Sequence, residues 1–233
     1  MPLMRGSLVH IALAHHFVRM RAIQQHEDPN RYYTPRDAMN VLAPKLGLLA
    51  VELLPVAQAT VEEYLALYAD EGWHILYVEE EFRTELRDAS GRTTLFTMRP
   101  DLIVEDRSGR SWICDHKIVS RLDSKISPRY TLSGQFLALQ TLGQVLFGTA
   151  FGGCIVNAIQ AAPGMRVKKY PVEPAPASLQ RFPRLILDVA DAIARLDAEE
   201  RDPMDWPGAQ HELMCMTAYG PCPFFEFCRW GME

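Results

Sequence analysis

Asp101 and the triplet Asp115-His116-Lys117, with thirteen residues between the two aspartates, are the part of this chain whose types and spacing could do chemistry. They belong to two apolar runs, Met98-Arg99-Pro100-Asp101-Leu102-Ile103-Val104 and Ser111-Trp112-Ile113-Cys114-Asp115-His116-Lys117. The polar, glycine-containing stretch Asp106-Arg107-Ser108-Gly109-Arg110 between them reads as a hairpin turn. A hairpin brings Asp101 beside Asp115, and strand alternation sends Asp115 and Lys117 to one face, Cys114 and His116 to the other. Two carboxylates and an ammonium then converge. Carboxylates are hard oxygen ligands suited to Mg²⁺ or Mn²⁺. An ion held there acidifies a water and screens charge that grows on a phosphoryl group under attack, with Lys117 orienting the nucleophile or neutralising that charge. A charged hairpin edge with no such role fits the same residues, and a second Asp-x-Lys at Asp123-Ser124-Lys125 shows how cheap the motif is. That copy lies in a polar loop, RLDSKISPR, without an apolar strand around it.

The elements that must position these groups follow from periodicity and punctuation. Residues 5–25 read as a helix, Thr34-Pro35 opens another, and Thr60-Val61-Glu62-Glu63 reads as a capping box starting a helix to about residue 70. Strands are expected at about 74–87, 93–105 and 111–118, with Ser90-Gly91 turning the first pair. A helix over about 130–147, strands near 152–160 and 165–172, and a helix over about 178–198 complete the frame. Pro203, Pro207, Pro221 and Pro223 keep the tail irregular. The fold class is α/β: a mixed central sheet flanked by helices, with a helical insertion at 34–71 and a cysteine-bearing tail at 203–233, all in one domain spanning 1–233.

The order of motifs resembles the PD-(D/E)XK nuclease superfamily, which has a restriction-endonuclease-like core, and within it the RecB-like exonuclease branch. Arg5-Gly6-Ser7-Leu8-Val9-His10 resembles the branch's Gly-x-x-x-His helix, whose histidine joins the carboxylates on the metal. Val78-Glu79-Glu80-Glu81-Phe82 resembles the acidic strand before the Asp motif, with Glu79 the best match to an additional acid. Ser133-Gly134-Gln135-Phe136 resembles the glutamine helix that follows the lysine strand, although Leu139 stands where related nucleases commonly carry Tyr. Cys215, Cys222 and Cys228 resemble the cysteines that hold an iron–sulfur cluster in nucleases of the AddB and CRISPR-adaptation types.

The resemblance implies a DNA nuclease using Mg²⁺ or Mn²⁺, with His10, Asp101, Asp115 and the main-chain carbonyl of His116 as ligands. It implies Asp101, Asp115, Lys117 and Gln135 as the catalytic set, the lysine assisting the attacking water and the glutamine positioning phosphate. DNA, single-stranded or at duplex ends, is the implied partner, in repair, phage replication, or alongside a helicase, recombination or CRISPR-adaptation partner, in a bacterial or phage-infected cytoplasm. The competing expectation is a catalytically inactive DNA-binding or assembly module with the same fold. Taken without the resemblance, His10 also fits a partly buried, hydrogen-bonded core histidine. His15 and His16 lack its motif and read as solvated.

The tail spacing Cys215-x6-Cys222-x5-Cys228, with Pro221 and Pro223 bracketing the central cysteine and Phe224, Phe225 and Phe227 between it and Cys228 to exclude water, suits a [4Fe–4S] cluster in a dry pocket. Three thiolates are one short of four ligands, and zinc with mixed Cys and His ligands, such as His211, is the alternative. Cys114 and Cys154 fall in apolar strands and read as core thiols. With no secretory signal and no transmembrane run, a reducing cytoplasm is expected, which disfavours structural disulfides. The net charge of −5 argues against tight nonspecific DNA binding by the chain alone. Basic residues nonetheless gather at Lys117, Arg121, Lys125 and Arg129 and again at Arg166, Lys168 and Lys169.

Overall fold

Alternating β-branched and aromatic residues in the middle of the chain build the sheet, and two features break its ribbons at the same level. In the computed structural model, which describes residues 2–68, 72–124, 126–131, 133–160, 166–199, 216–217 and 220–221, the expected strand over 74–87 divides into β1 (His74–Val78) and β2 (Phe82–Arg87). The expected strand over 93–105 divides into β3 (Thr93–Met98) and β4 (Leu102–Glu105). Glu79 takes a left-handed φ of 50°, and Arg99-Pro100 interrupts the facing ribbon where proline has no N–H to give. β2 and β3 therefore leave as a separate two-stranded ribbon, paired from Phe82↔Met98 to Arg87↔Thr93. Arg92 ties its turn to the last long helix through Asp88, Asp188 and Asp191.

The main sheet has the order β1-β4-β5-β6-β7, with β5 (Ser111–Val119), β6 (Phe151–Gln160) and β7 (Arg166–Val172). Only β5 and β6 are parallel, and their crossover is made by α4 (Ile126–Thr131) and α5 (Gly134–Phe147). The β4–β5 turn is the expected one. Gly109 has φ of 79°, and the Asp106 carboxylate accepts from the Ser108 hydroxyl, from Trp112 Nε1 and from the Arg110 and Ser108 N–H groups, which holds it well below the usual carboxylate range.

Each sheet face has its own core. α1 (Pro2–Gln24), α2 (Pro35–Leu46) and α3 (Leu48–Tyr68) cover one face with Leu8, Val9, Leu13, Phe17 and Tyr64 against Leu102, Val104 and Cys114. α5 covers the other with Phe136, Leu139 and Leu142 against Ile103, Ile113 and Val156, and α6 (Pro176–Ala198) packs on α5 and on the β2–β3 ribbon, with Phe182 edge-on to Phe96. A mixed central sheet flanked by helices is thus the architecture, and no helix among the described residues is long and apolar enough to cross a membrane. Cys114 and Cys154 are buried thiols whose pKa burial pushes up.

Further sequence expectations are corrected. Thr60 does not open a helix: α3 starts at Leu48, and the Thr60 hydroxyl donates back to the Val56 carbonyl at 2.8 Å from mid-helix. Nor are His15 and His16 simply solvated. His15 lies edge-on to Tyr33, and His16, against Phe17, is pushed down to about 4 by burial and then by Arg19. A histidine that is neutral in the folded chain but titrates near 6.5 when unfolded adds stability above pH 6.5, lost as pH falls toward 4. The full shift would be worth about 3 kcal/mol, and solvent screening of this partly exposed ring cuts it to about 1–2 kcal/mol. His16→Gln is expected to flatten the fall in Tm between pH 6.5 and 4 by about 3–6 °C, read from thermal melts of both proteins across that range.

Candidate functional site

The break between the main sheet and the β2–β3 ribbon is where the candidate residues meet. Val78 pairs with Leu102 and Leu102 with Cys114, so Glu79 and Asp101, at the ends of β1 and β4, stand abreast of Asp115 in the middle of β5. The Glu79 N–H donates to the Asp101 carbonyl at 3.1 Å. Left-handed backbone at Glu79 lets the chain turn off the sheet while this residue stays beside Asp101, and Glu80 and Glu81 turn outward. That separates the glutamate triplet, which strand alternation alone could not do.

β5 outruns β4, and from Asp115 to Val119 it pairs only with β6. On the open side the Asp101 carboxylate takes the place of a strand partner: its Oδ2 accepts the His116 main-chain N–H at 2.7 Å. A strand residue sends its N–H and C=O to the same side, so the His116 carbonyl also faces this open edge. α1 crosses above and brings His10 Nδ1 to 3.4 Å from Asp101 Oδ2.

Ligand atoms of His10, Glu79 and Asp101 all lie within 4.8 Å of one another. Desolvation, and next the Asp101 charge, raise the Glu79 carboxyl above its ordinary pKa, against the opposing pull of Arg99 and His10. Arg99 reaches Glu79 at 3.3 Å from a mostly exposed position. Crowded, partly desolvated acids beside an imidazole form a donor set that a hard divalent cation would relieve of its repulsion.

Asp115 makes a different set of contacts. It is 2% exposed, and its Oδ2 lies 2.7 Å from Lys117 Nζ. Its Oδ1 accepts from Gln135 Nε2 at 2.6 Å, and Gln135 Oε1 accepts from Lys117 Nζ at 3.1 Å. The three side chains close a triangle between β5 and the first turn of α5. Desolvation, and next the Asp101 charge, raise the Asp115 carboxyl, with Lys117 pulling it back. The triangle borders a groove of about 700 Å³ that reaches from Lys117, past His116 and Asp101, to His10, Gly6 and Leu42.

The structure therefore brings His10, Glu79, Asp101, Asp115, Lys117 and Gln135 to one end of the sheet, Asp115 within the lysine triangle and the other acids around His10. Lys168 and Lys169, on β7, rest over the Tyr170 and Trp73 rings, and burial pushes Lys169 down to about 8. In the second Asp-x-Lys, Asp123 offers its carbonyl to the Tyr170 hydroxyl, and Lys125 lies outside the described residues. So do Cys215, Cys222, Cys228 and His211. Arg99 was not singled out by the sequence, although its place beside Pro100-Asp101 was the available signal.

The sequence matches no protein-family model, and no curated protein matches it. The solved structures similar in chain path include two of low identity. The crystal structure of SSO0001 is 15% identical over 82% of this chain and 74% of its own, with a TM-score of 0.38. A protein from Eubacterium rectale, provisionally named an exonuclease, is 14% identical over 77% of this chain, with a TM-score of 0.43. This second match spans 61% of that protein's length. Neither likeness carries the chemistry, which rests on the side chains.

Proposed function

We propose that this chain is a divalent-metal-dependent deoxyribonuclease of the PD-(D/E)XK type that works from DNA ends. The observation that carries the reading is adjacency: a cluster of one imidazole and two carboxylates, His10, Glu79 and Asp101, stands beside the Asp115–Lys117–Gln135 triangle where β5 runs past β4. His10, Asp101 and Glu79 would hold Mg²⁺ or Mn²⁺, with Asp115 and the His116 carbonyl as the neighbouring oxygen donors. Such an ion, when bound, acidifies a water and offsets charge on a phosphate oxygen.

The chain's own groups do the rest. An ammonium has three N–H bonds, of which Asp115 and Gln135 engage two, and the third serves the attacking water or a non-bridging phosphate oxygen. Asp115 fixes where that ammonium sits, and the Gln135 amide keeps the pair in register. On sequence alone, Cys215, Cys222 and Cys228 carry the further proposal of a structural [4Fe–4S] or zinc site. A helicase, recombination or CRISPR-adaptation partner is likewise a proposal.

The test is incubation of the chain, purified without oxygen, with end-labelled single-stranded and duplex DNA in Mg²⁺, Mn²⁺ or EDTA. Metal-dependent loss of label with a progressive ladder supports the nuclease and gives its polarity. Intact DNA under every metal would sink it in favour of a binding or assembly module.

A further inference from the structure

On the opposite face of β5 from the lysine triangle lies a buried polar chain that the proposed chemistry does not use. Tyr64 of α3, Asn157 of β6 and His116 of β5 are 1%, 0% and 2% exposed, inside a layer otherwise made of Leu8, Val9, Phe17, Leu102 and Cys114. Asn157 Nδ2 donates to the Tyr64 hydroxyl at 3.0 Å and lies 2.9 Å from His116 Nδ1. With the amide as donor to both, Nδ1 is the acceptor of the imidazole and Nε2 carries its proton. Phe17 stacks on that ring with centroids 5.6 Å apart and planes 2° from parallel, and the His10 ring meets it edge-on at 6.1 Å.

Stability does not call for this chain. Among the described residues, Asn157 Oδ1 and His116 Nε2 have no hydrogen-bond partner, and apolar residues of similar shape would fill the layer without that cost. What the chain does fix is orientation. Beyond Cys114 the peptides of β5 have no β4 partner, so nothing in the ladder holds the 116 peptide on its open side. Its side chain is instead gripped by Phe17 and Asn157, and its N–H is the group that holds Asp101 Oδ2 at 2.7 Å. Networks of this kind specify one geometry at the expense of stability.

We propose that Tyr64, Asn157 and His116 are positioning residues that set the 116 peptide, and through it Asp101, at the metal cluster, making α3 part of the metal site. The inference rests on the metal-site reading above. Mn²⁺ binding to the full chain without DNA, measured by titration calorimetry for wild type, Asn157→Leu and Tyr64→Phe alongside their Tm, tests it.

The Mn²⁺ Kd is expected to rise about tenfold in Asn157→Leu and about threefold in Tyr64→Phe, as for loss of an outer-shell partner, with Tm held within a few degrees. In cleavage assays the Mn²⁺ concentration for half-maximal rate should shift by the same factor while the rate at saturating Mn²⁺ is kept, which a purely structural role would not produce. If Asn157→Leu fails to fold, Tyr64→Phe, which removes one oxygen, decides. Wild-type Kd in the folded variants overturns the relay and leaves the metal site standing. A wild type that binds no Mn²⁺ overturns the metal site and the relay with it.

Discussion

Lys117→Ala is expected to lower DNA cleavage by at least about a hundredfold, to the background seen with EDTA, while the protein still folds and binds DNA. The size follows from what the ammonium faces. It is the one cation among the described residues paired with Asp115, a carboxylate 2% exposed and already raised by desolvation and by Asp101. Without it Asp115 loses the charge that favours its ionised form, and its pKa is expected to move further up. A buried carboxyl that is able to take up a proton costs less than one left as an unpaired charge, which limits the stability loss. Gln135 loses its Oε1 donor as well, so both partners of the triangle become free to shift. A product ladder from end-labelled DNA at fixed Mn²⁺, run beside a thermal melt, separates lost chemistry from lost folding. Normal turnover by Lys117→Ala would remove the triangle from consideration.

The carboxylates and lysine were legible because a strand fixes direction by parity alone. Once Met98 to Val104 and Ser111 to Lys117 are strands joined by a turn, Asp101 must lie near Asp115, and Lys117 must share its face. The grouping of His10 with them came from resemblance, since nothing in a helical stretch says which strand it crosses. The two breaks were harder to see. Apolar residues resume on the far side of both Glu79–Glu81 and Arg99-Pro100, so the pattern alone reads through them, and Pro100 was the only local warning. Hence the sequence left Glu79 ambiguous, while its left-handed φ shows which glutamate stays beside Asp101. Thr60 misled because its spacing to Glu63 is that of a cap, yet the helix had already begun at Leu48 with an interior tolerant of Pro55. Asn157 was hidden for a different reason. One amide in GGCIVNAIQ is unremarkable until tertiary contact puts Tyr64 and His116 beside it, and those partners lie far away in sequence.

Asp101→Asn is the substitution that should separate charge from geometry at the ligand cluster. The amide is nearly isosteric, and its oxygen can still accept the His116 N–H, so the β5 edge keeps its partner and Tm should change little. What disappears is the negative charge beside His10 and Glu79. Since that charge helps raise Glu79 and Asp115, both carboxyls should fall back toward ordinary values. A divalent ion loses one of its anionic oxygen donors and most of the local field that attracts it, and at least about a tenfold weaker Mn²⁺ affinity follows, an order taken from the cost of losing even an outer-shell partner. Cleavage at low Mn²⁺ should fall by more than that at saturating Mn²⁺, which is the signature of a weakened site as opposed to a damaged fold. The measurement is rate against Mn²⁺ concentration for wild type and Asp101→Asn, with Mn²⁺ affinity taken independently without DNA. An unchanged metal dependence would mean that Asp101 serves only to hold the 116 peptide, and the ligand cluster would have to be rebuilt around Asp115.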